Sequence, residues 1–246
     1  MKKIMILLLS LTLAFSLAAC GNTTANSNQS SPESAPAVTP SDNTVTPDAP
    51  EDDETQSDPT TDTTTLVVYF SLPETTASDN MTREEDNSVV VIDGEVLGNT
   101  QYVAYVIAEN TGADLFRIEP KMPYTTNHTD LVAQAKEEQN TDARPELVAN
   151  VENLDQYDTV FIGYPNWWGD MPMILYTFFD SNDFSGKTII PFNTHGGSGF
   201  SSTVSTIAKL EPDAAVNEDG FTVSRDNVQE AAPDIVAWLT RLGYVK

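Results

Sequence analysis

Residues that could bind a phosphate group occur in two separate stretches of the sequence. Ser71 follows an apolar run at residues 66–70, and Gly98-Asn99-Thr100 opens the apolar periodicity of a helix. Hydroxyl groups combined with the free N–H groups of a helix N-terminus suit a phosphate monoester. No Lys or Arg stands beside them in the sequence, so neutral donors would do the binding. An ordinary N-cap at Asn99 or Thr100 is the alternative interpretation.

A third stretch, Pro165-Asn166-Trp167-Trp168-Gly169, abruptly ends the apolar run at residues 159–164. Loops at the carboxyl ends of parallel strands are where open α/β sheets bind their ligands. Two adjacent indoles offer large faces for stacking, so we interpret this loop as a cover for a planar ligand, a flavin ring. Core packing and a surface patch for a protein partner are the alternatives.

A glycine-rich stretch, Thr194-His195-Gly196-Gly197-Ser198-Gly199, follows the apolar run at residues 188–192. Glycines let backbone N–H groups approach a ligand closely, and those groups could donate to the carbonyls and N1 of a flavin. The His195 side chain could donate as well. A flexible turn with a locally hydrogen-bonded histidine would have the same sequence.

The elements that must position these stretches alternate between strands and helices. We predict strands at 66–70, 114–118, 159–164, 188–192 and 221–223, with 214–216 as a further contributor, and helices at 98–111, 129–139, 172–179, 201–210 and 226–242. This alternation predicts a three-layer, doubly wound α/β domain with a five-stranded parallel sheet in the order 2-1-3-4-5. The three loops would then converge beside the switch point between strands one and three. Pro191 is unusual for a central strand because it removes a ladder donor.

Residues 72–97 form an insert after strand one. Its first part, to Asn87, is polar and loop-like, and residues 89–97 read as a hairpin around Asp93-Gly94, a dipeptide that favours a type I′ turn. The insert could form a lid or a docking surface beside the ligand.

The stretches Val67–Ser71, Gly98–Thr100, Gly163–Gly169 and Pro191–Gly199 together resemble the flavodoxin-like superfamily over about residues 65–246. The resemblance is greatest to the branch with Y-P-x-W-W-G and T-H-G-G-S-G loops. It implies FMN as the cofactor. It also implies that the phosphate is held by Ser71, Asn99 and Thr100, and the ring by Pro165, Asn166, Trp167, Trp168, Gly169, Thr194, His195, Gly196, Gly197, Ser198 and Gly199. The sequence departs from the family in one respect. In flavodoxins the serine and the Gly-Asn-Thr stretch belong to one short loop, whereas here 26 residues separate Ser71 from Gly98.

The N-terminus has the pattern of a bacterial lipoprotein. A basic start and an apolar run at residues 4–17 fit a secretory signal, and Leu17-Ala18-Ala19-Cys20 matches a lipobox. We therefore predict a signal peptide at 1–20, lipidation of Cys20, and an extracytoplasmic location anchored to the bacterial cell membrane. An ordinary signal peptide cleaved near Ala19 is the alternative. Cys20 is the only cysteine, so no disulfide supports the fold.

The composition predicts a long acidic linker before the domain. Residues 21–64 hold nine acidic residues, no Lys or Arg, and few sizeable apolar side chains, which predicts a disordered tether. The domain would span residues 65–246. The chain has a net charge of −25, which argues against nucleic acid and anionic lipid surfaces as partners.

These observations favour an electron-transfer protein that exchanges electrons with a redox partner protein or a small acceptor. Acidic residues would steer a basic partner and disfavour the reduced, anionic flavin, which lowers the reduction potential. The sequence offers no apparent nucleophile–base pair or metal cluster, and we predict no catalytic residues. An FMN-dependent reductase of quinones or nitro compounds is one alternative, although no glycine-rich dinucleotide fingerprint occurs. A binding or scaffold lipoprotein without flavin is the other.

Overall fold

A computed structural model describes residues 64–245. The predicted signal peptide, lipidated Cys20 and nearly all of the linker at 21–64 lie outside the described residues. No helix within the described part of the chain is long and apolar enough to cross a bilayer.

The elements alternate as the sequence predicts. In chain order they are β1 (Thr65–Tyr69), α1 (Arg83–Ser88), β2 (Val89–Ile92), β3 (Glu95–Gly98), α2 (Asn99–Thr111), β4 (Asp114–Arg117), α3 (His128–Asn140), β5 (Thr159–Pro165), α4 (Met173–Asp180), β6 (Thr188–His195), α5 (Thr203–Leu210), β7 (Ala215–Val216), β8 (Phe221–Ser224) and α6 (Ala232–Leu242). Short 3-10 helices cover Leu154–Gln156 and Arg225–Glu230.

The central sheet is parallel, and its order is β4-β1-β5-β6, followed by a split edge. This confirms the predicted 2-1-3-4-5 order. The fifth position is shared by the predicted strand at 221–223 and its further contributor at 214–216, because β8 and β7 both pair with β6, at Phe192–His195 and at Thr188–Ile189 respectively. The sheet therefore has six strands.

The split edge explains how Pro191 fits into an inner strand. The Ile189 carbonyl accepts a hydrogen bond from Asn217 N–H at 2.8 Å, so the backbone of Ile189 faces the β7–β8 side. Pro191 lies two residues further on and faces the same side. Its missing N–H therefore falls opposite the break between β7 and β8.

Helices cover both faces of the sheet. Alternate residues of β1 point to opposite faces: Leu66, Val68 and Phe70 pack in one apolar cluster, and Val67 and Tyr69 pack in the other. Members of α3, α4 and α5 belong to the first cluster, and members of α2 and α6 belong to the second. Strands buried on both faces explain the continuous apolar runs in the sequence.

Two predicted elements have different bounds in the structure. The insert is not loop-like throughout, because Arg83–Ser88 forms α1, whose N-cap Thr82 and Glu85 make a capping box. The predicted hairpin is confirmed, since β2 and β3 pair antiparallel and Asp93 and Gly94 both have positive φ, as a type I′ turn requires. The predicted helix at 226–242 is a 3-10 helix followed by α6, because Pro233 favours the first turn of a new helix.

Candidate functional site

A cavity opens at the carboxyl ends of β1, β5 and β6. We call it the strand-end cavity, and its lining includes Ser71, Asn99, Thr100, Pro165, Asn166, Thr194, His195, Gly196 and Arg225. Residues of all three predicted loops are therefore brought together. A neighbouring cavity, which we call the tryptophan cavity, shares His128, Asn166 and Arg225 with it and is also lined by Leu131, Val132, Ala135, Trp167 and Trp168.

One end of the strand-end cavity is built from buried hydroxyls beside the start of α2. Ser71 and Thr100 are only 4% and 1% exposed, and Thr100 Oγ1 lies 2.9 Å from Thr194 Oγ1. The N-cap of α2 is Gly98, which offers no side chain to satisfy the N–H groups of the first turn. Free helix N–H groups next to two hydroxyls suit a phosphate monoester.

The insert does not separate Ser71 from the start of α2. A Cβ added to Gly98 would overlap Ser71 Oγ, so the two ends of the insert are in direct contact. Glycine is required here for space rather than for its backbone angles, because φ of Gly98 is −65°. The long insertion therefore keeps the same close approach that a short loop would provide.

The insert itself forms one wall of the strand-end cavity. Glu74, Glu84 and Ser88 are among its lining residues. Asn99 Nδ2 donates to the Asn87 carbonyl at 2.8 Å, while Asn99 Oδ1 is buried without a partner among the described residues. The insert therefore lies beside the strand-end cavity.

Asn166 connects the two loops that were predicted to hold a ring. Its N–H donates to the Thr194 carbonyl at 2.8 Å, and its Nδ2 donates to the Gly199 carbonyl at 3.0 Å. Its Oδ1 accepts from Gly169 N–H at 3.0 Å. These bonds hold residues 165–169 against residues 194–199.

The two tryptophans have different environments. The Trp167 ring packs edge-on against Phe70 and Tyr124, with centroids 5.6 and 5.5 Å apart, and so belongs partly to the core. Trp168 is 54% exposed, and its Nε1 donates to the Val132 carbonyl of α3. Both line the tryptophan cavity, so Trp167 combines core packing with a position in the cavity wall.

His195 is held in one tautomer by its own loop. Its Nδ1 accepts a hydrogen bond from Gly197 N–H at 2.8 Å, which leaves Nε2 as the donor of the neutral ring. Burial lowers the pKa of His195 below its usual value, which favours this neutral form. His195 lines the strand-end cavity, and its neutral ring has one remaining donor, Nε2–H.

Sequence reasoning missed two polar groups of the site, Arg225 and the pair His128–Glu74. Arg225 directly follows β8, whose last residue Ser224 lies beside His195. Its position after the predicted fifth strand could therefore have identified it as a site residue. A guanidinium therefore lines the same cavity as the predicted neutral donors. His128 Nδ1 lies 3.0 Å from Glu74 Oε1, a contact across 54 residues that no local pattern indicates.

The parallel sheet order and a polar cavity at its carboxyl edge define a flavodoxin-like α/β protein. A Flavodoxin family model matches residues 88–241, which is more than half of the chain, and the chain belongs to this family. No curated protein sequence matches it significantly.

Three solved structures illustrate the similarity. A protein described as a flavoprotein, from Bacteroides eggerthii, is 30% identical, with 74% of this chain and 99% of that chain covered and a TM-score of 0.56. A second, from Bacteroides uniformis, is 28% identical, with 68% and 96% covered and a TM-score of 0.52. A flavoprotein in complex with FMN, from Lactobacillus acidophilus, is 19% identical, with 68% and 97% covered and a TM-score of 0.47.

The strand-end cavity and the tryptophan cavity together form what we call the cleft, and its residues fit the cofactor that the family implies. Membership in the flavodoxin family supports FMN. The buried hydroxyls, the uncapped helix start and the close approach at Gly98 suit its phosphate, and the glycine loop with the Trp loop offers backbone donors and aromatic faces for its ring.

Proposed function

We propose that this protein is an FMN-binding electron-transfer protein anchored by a lipid on Cys20 to the outer side of a bacterial cell membrane. The observation that carries the FMN assignment is the meeting of Thr100 Oγ1 and Thr194 Oγ1 at 2.9 Å. These two hydroxyls come from the start of α2 and the end of β6. Residues 98–100, which would bind the phosphate, and the loop at 194–199, which would hold the ring, therefore meet in one cavity.

Each part of the cleft has a separate task in this proposal. Ser71, Thr100 and the first N–H groups of α2 bind the phosphate. The bonds of Asn166 fix the distance between the two ring-binding loops, and the loop at 194–199 presents N–H groups and His195 Nε2–H to the ring edge. When bound, FMN supplies one- and two-electron redox chemistry, and the protein adjusts it through these donors.

An absorption spectrum tests the FMN assignment directly. The full chain, purified in mild detergent, should show the two visible bands of bound flavin, or should acquire them on addition of FMN. A colourless protein that does not bind added FMN would favour the flavin-free scaffold. Slow turnover with NAD(P)H and a quinone, together with fast electron exchange with a reduced carrier protein, supports electron transfer over a reductase.

The lipid anchor needs its own test because Cys20 lies outside the described residues. In bacteria, the wild-type chain should fractionate with the membrane and incorporate labelled palmitate. Cys20→Ser should lose both the label and the membrane association. Equal membrane association of wild type and Cys20→Ser would contradict the anchor.

A further inference from the structure

The cleft contains a positive charge that has no ion-pair partner among the described residues. Arg225 lines both cavities and is the only Lys or Arg among the described residues that does so. Its guanidinium packs on the backbone of the loop at 194–199. A Cβ added to Gly196 would lie 3.2 Å from Arg225 Cζ and 3.3 Å from Nη1.

No acidic side chain in residues 64–245 forms an ion pair with Arg225, although the chain carries a net charge of −25. Among the other described arginines, Arg117, Arg144 and Arg241 each have a carboxylate within 4.0 Å, whereas Arg83 on the insert has none and lines neither cavity. The neighbouring Asp226 is oriented toward Ser224 instead, since Asp226 N–H donates to Ser224 Oγ at 3.4 Å and Ser224 Oγ lies 3.3 Å from Asp226 Oδ2.

We propose that Arg225 is a cofactor-contacting residue that stabilises reduced FMN more strongly than oxidised FMN. This inference rests on the proposed function. Two electrons from a redox partner and one proton from solvent convert the neutral oxidised ring into a ring with one negative charge. A guanidinium beside the backbone of Gly196 adds attraction only after that charge has formed.

The effect opposes the general influence of the acidic surface. Exposed acids lie at many distances, and salt screens charges that are more than roughly 8–10 Å apart. Arg225 is itself exposed, but its contact with the Gly196 backbone places its charge at a short distance from the loop at 194–199, where the Coulomb attraction is larger. Glu74 and Glu84 also line the strand-end cavity, so the reduction potential of the cofactor depends on the balance between these carboxylates and Arg225, which contacts the loop at 194–199.

The phosphate is the competing partner for this guanidinium, and it makes a different prediction. An arginine that binds the phosphate would stabilise oxidised and reduced FMN equally, because the charge of the phosphate does not change on reduction. It would also have little influence on riboflavin, which lacks the phosphate.

The test compares Arg225→Gln with Lys209→Gln, which removes the same charge from the exposed end of α5 outside both cavities. The full chain is titrated with oxidised FMN and with riboflavin, and the affinity for reduced FMN is obtained from the midpoint potential measured against a reference dye at pH 8. Arg225→Gln should weaken the binding of reduced FMN about tenfold more than the binding of oxidised FMN. Lys209→Gln should change the ratio of these two affinities less than twofold. Arg225→Lys keeps the charge and should retain most of the difference.

Equal weakening of both redox forms by Arg225→Gln, with riboflavin unaffected, would overturn the proposal and assign Arg225 to the phosphate. An unchanged affinity for every ligand would also overturn it. Failure of the wild-type chain to bind FMN is a separate result, because it rejects the proposed function itself. Thermal unfolding of each variant identifies any loss of folding.

Discussion

The two ends of the cleft are built by different means. One end, which we propose binds the phosphate and call the phosphate end, contains Ser71, Asn99, Thr100 and Thr194; all are less than 8% exposed, and they lie after β1, at the start of α2 and at the end of β6. The other end, which we propose binds the ring and call the ring end, has positive φ at Trp168, Gly169, Gly197 and Gly199, and its residues 196–198 are exposed.

This difference indicates how each end obtains its shape. Regular secondary structure fixes the phosphate end, so its donors are oriented before any ligand arrives. The ring end depends on side-chain bonds to irregular backbone, in which Asn166 Nδ2 and Asn193 Nδ2 both donate to the Gly199 carbonyl, at 3.0 and 2.9 Å. We therefore expect substitutions at the two ends to discriminate differently between FMN and riboflavin, which has the ring but not the phosphate.

The largest effect should come from Gly98→Ala. The added Cβ would overlap Ser71 Oγ and lie 3.3 Å from Pro73 Cδ. This overlap would push Ser71 away from the start of α2. Losing hydrogen bonds to a charged group costs about 1.5–3 kcal/mol each, so FMN affinity should fall by about 100-fold or more. Fluorescence titration should show that riboflavin affinity changes by less than about threefold, because its ring contacts stay in place.

Gly94→Ala is the matched control for this substitution. Gly94 lies in the hairpin of the same insert, has φ of +85°, and has no atom within 4 Å of an added Cβ. Alanine there should cost about 1 kcal/mol of stability through backbone strain but leave FMN affinity nearly unchanged. A similar loss of FMN affinity in both variants would mean that general loosening of the insert is responsible, and not the contact with Ser71.

The tryptophan pair should separate folding from ring binding. Trp167→Ala removes the contacts with Phe70 and Tyr124 and should lower the free energy of unfolding by about 3 kcal/mol. Trp168→Ala removes an exposed ring and one hydrogen bond to Val132, so stability should fall by about 1 kcal/mol or less. If either indole stacks on the flavin ring, its loss should weaken the binding of FMN and of riboflavin equally, by about 1–3 kcal/mol.

Urea unfolding without ligand and titrations with both ligands measure the two effects separately. Unchanged affinity for both ligands in the two variants would remove the tryptophans from the ring site. A loss for FMN alone would place them near the phosphate end, which would contradict the division of the cleft.

The phosphate end was easier to predict from sequence than the ring end, for a physical reason. Ser71 and Gly98-Asn99-Thr100 lie at the ends of elements whose periodicity is strong, and the ends of parallel strands must meet at one edge of the sheet. The order of the sheet followed from the same periodicity. The capping pair Thr82 and Glu85 was also readable, but the polar composition of the segment hid α1.

The remaining features depend on contacts between distant residues. The sequence placed the two tryptophans on one loop, but their different environments depend on a tight turn at Trp168-Gly169, both with positive φ, which pairs Trp167 with Asp170 and leaves Trp168 at the tip. The pairing of His128 with Glu74 joins α3 to the insert, and nothing local to either residue indicates it. Arg225 could have been found, because the fifth strand was predicted to end at residue 223.

The smallest effect should be an acid sensitivity confined to the ring end. Burial lowers the pKa of His195, so the folded chain disfavours the protonated ring. The unfolded chain has a histidine pKa of about 6.5 and takes up the proton first as the pH falls. The stability contributed by neutral His195 is therefore complete above that value and is lost as the pH falls toward the lower folded pKa. Protonation also converts Nδ1 into a donor, which breaks its bond from Gly197 N–H.

FMN and riboflavin affinities should therefore both fall by a few-fold between pH 7.5 and pH 5.5, and the melting temperature should fall with them. His195→Asn places an oxygen near the position of Nδ1 and should remove this pH dependence. The chain has two histidines, and His128→Asn, which disrupts the contact with Glu74, should retain it. A pH dependence that survives in His195→Asn, or that affects FMN but not riboflavin, would place its origin at the phosphate end and reverse the assignment.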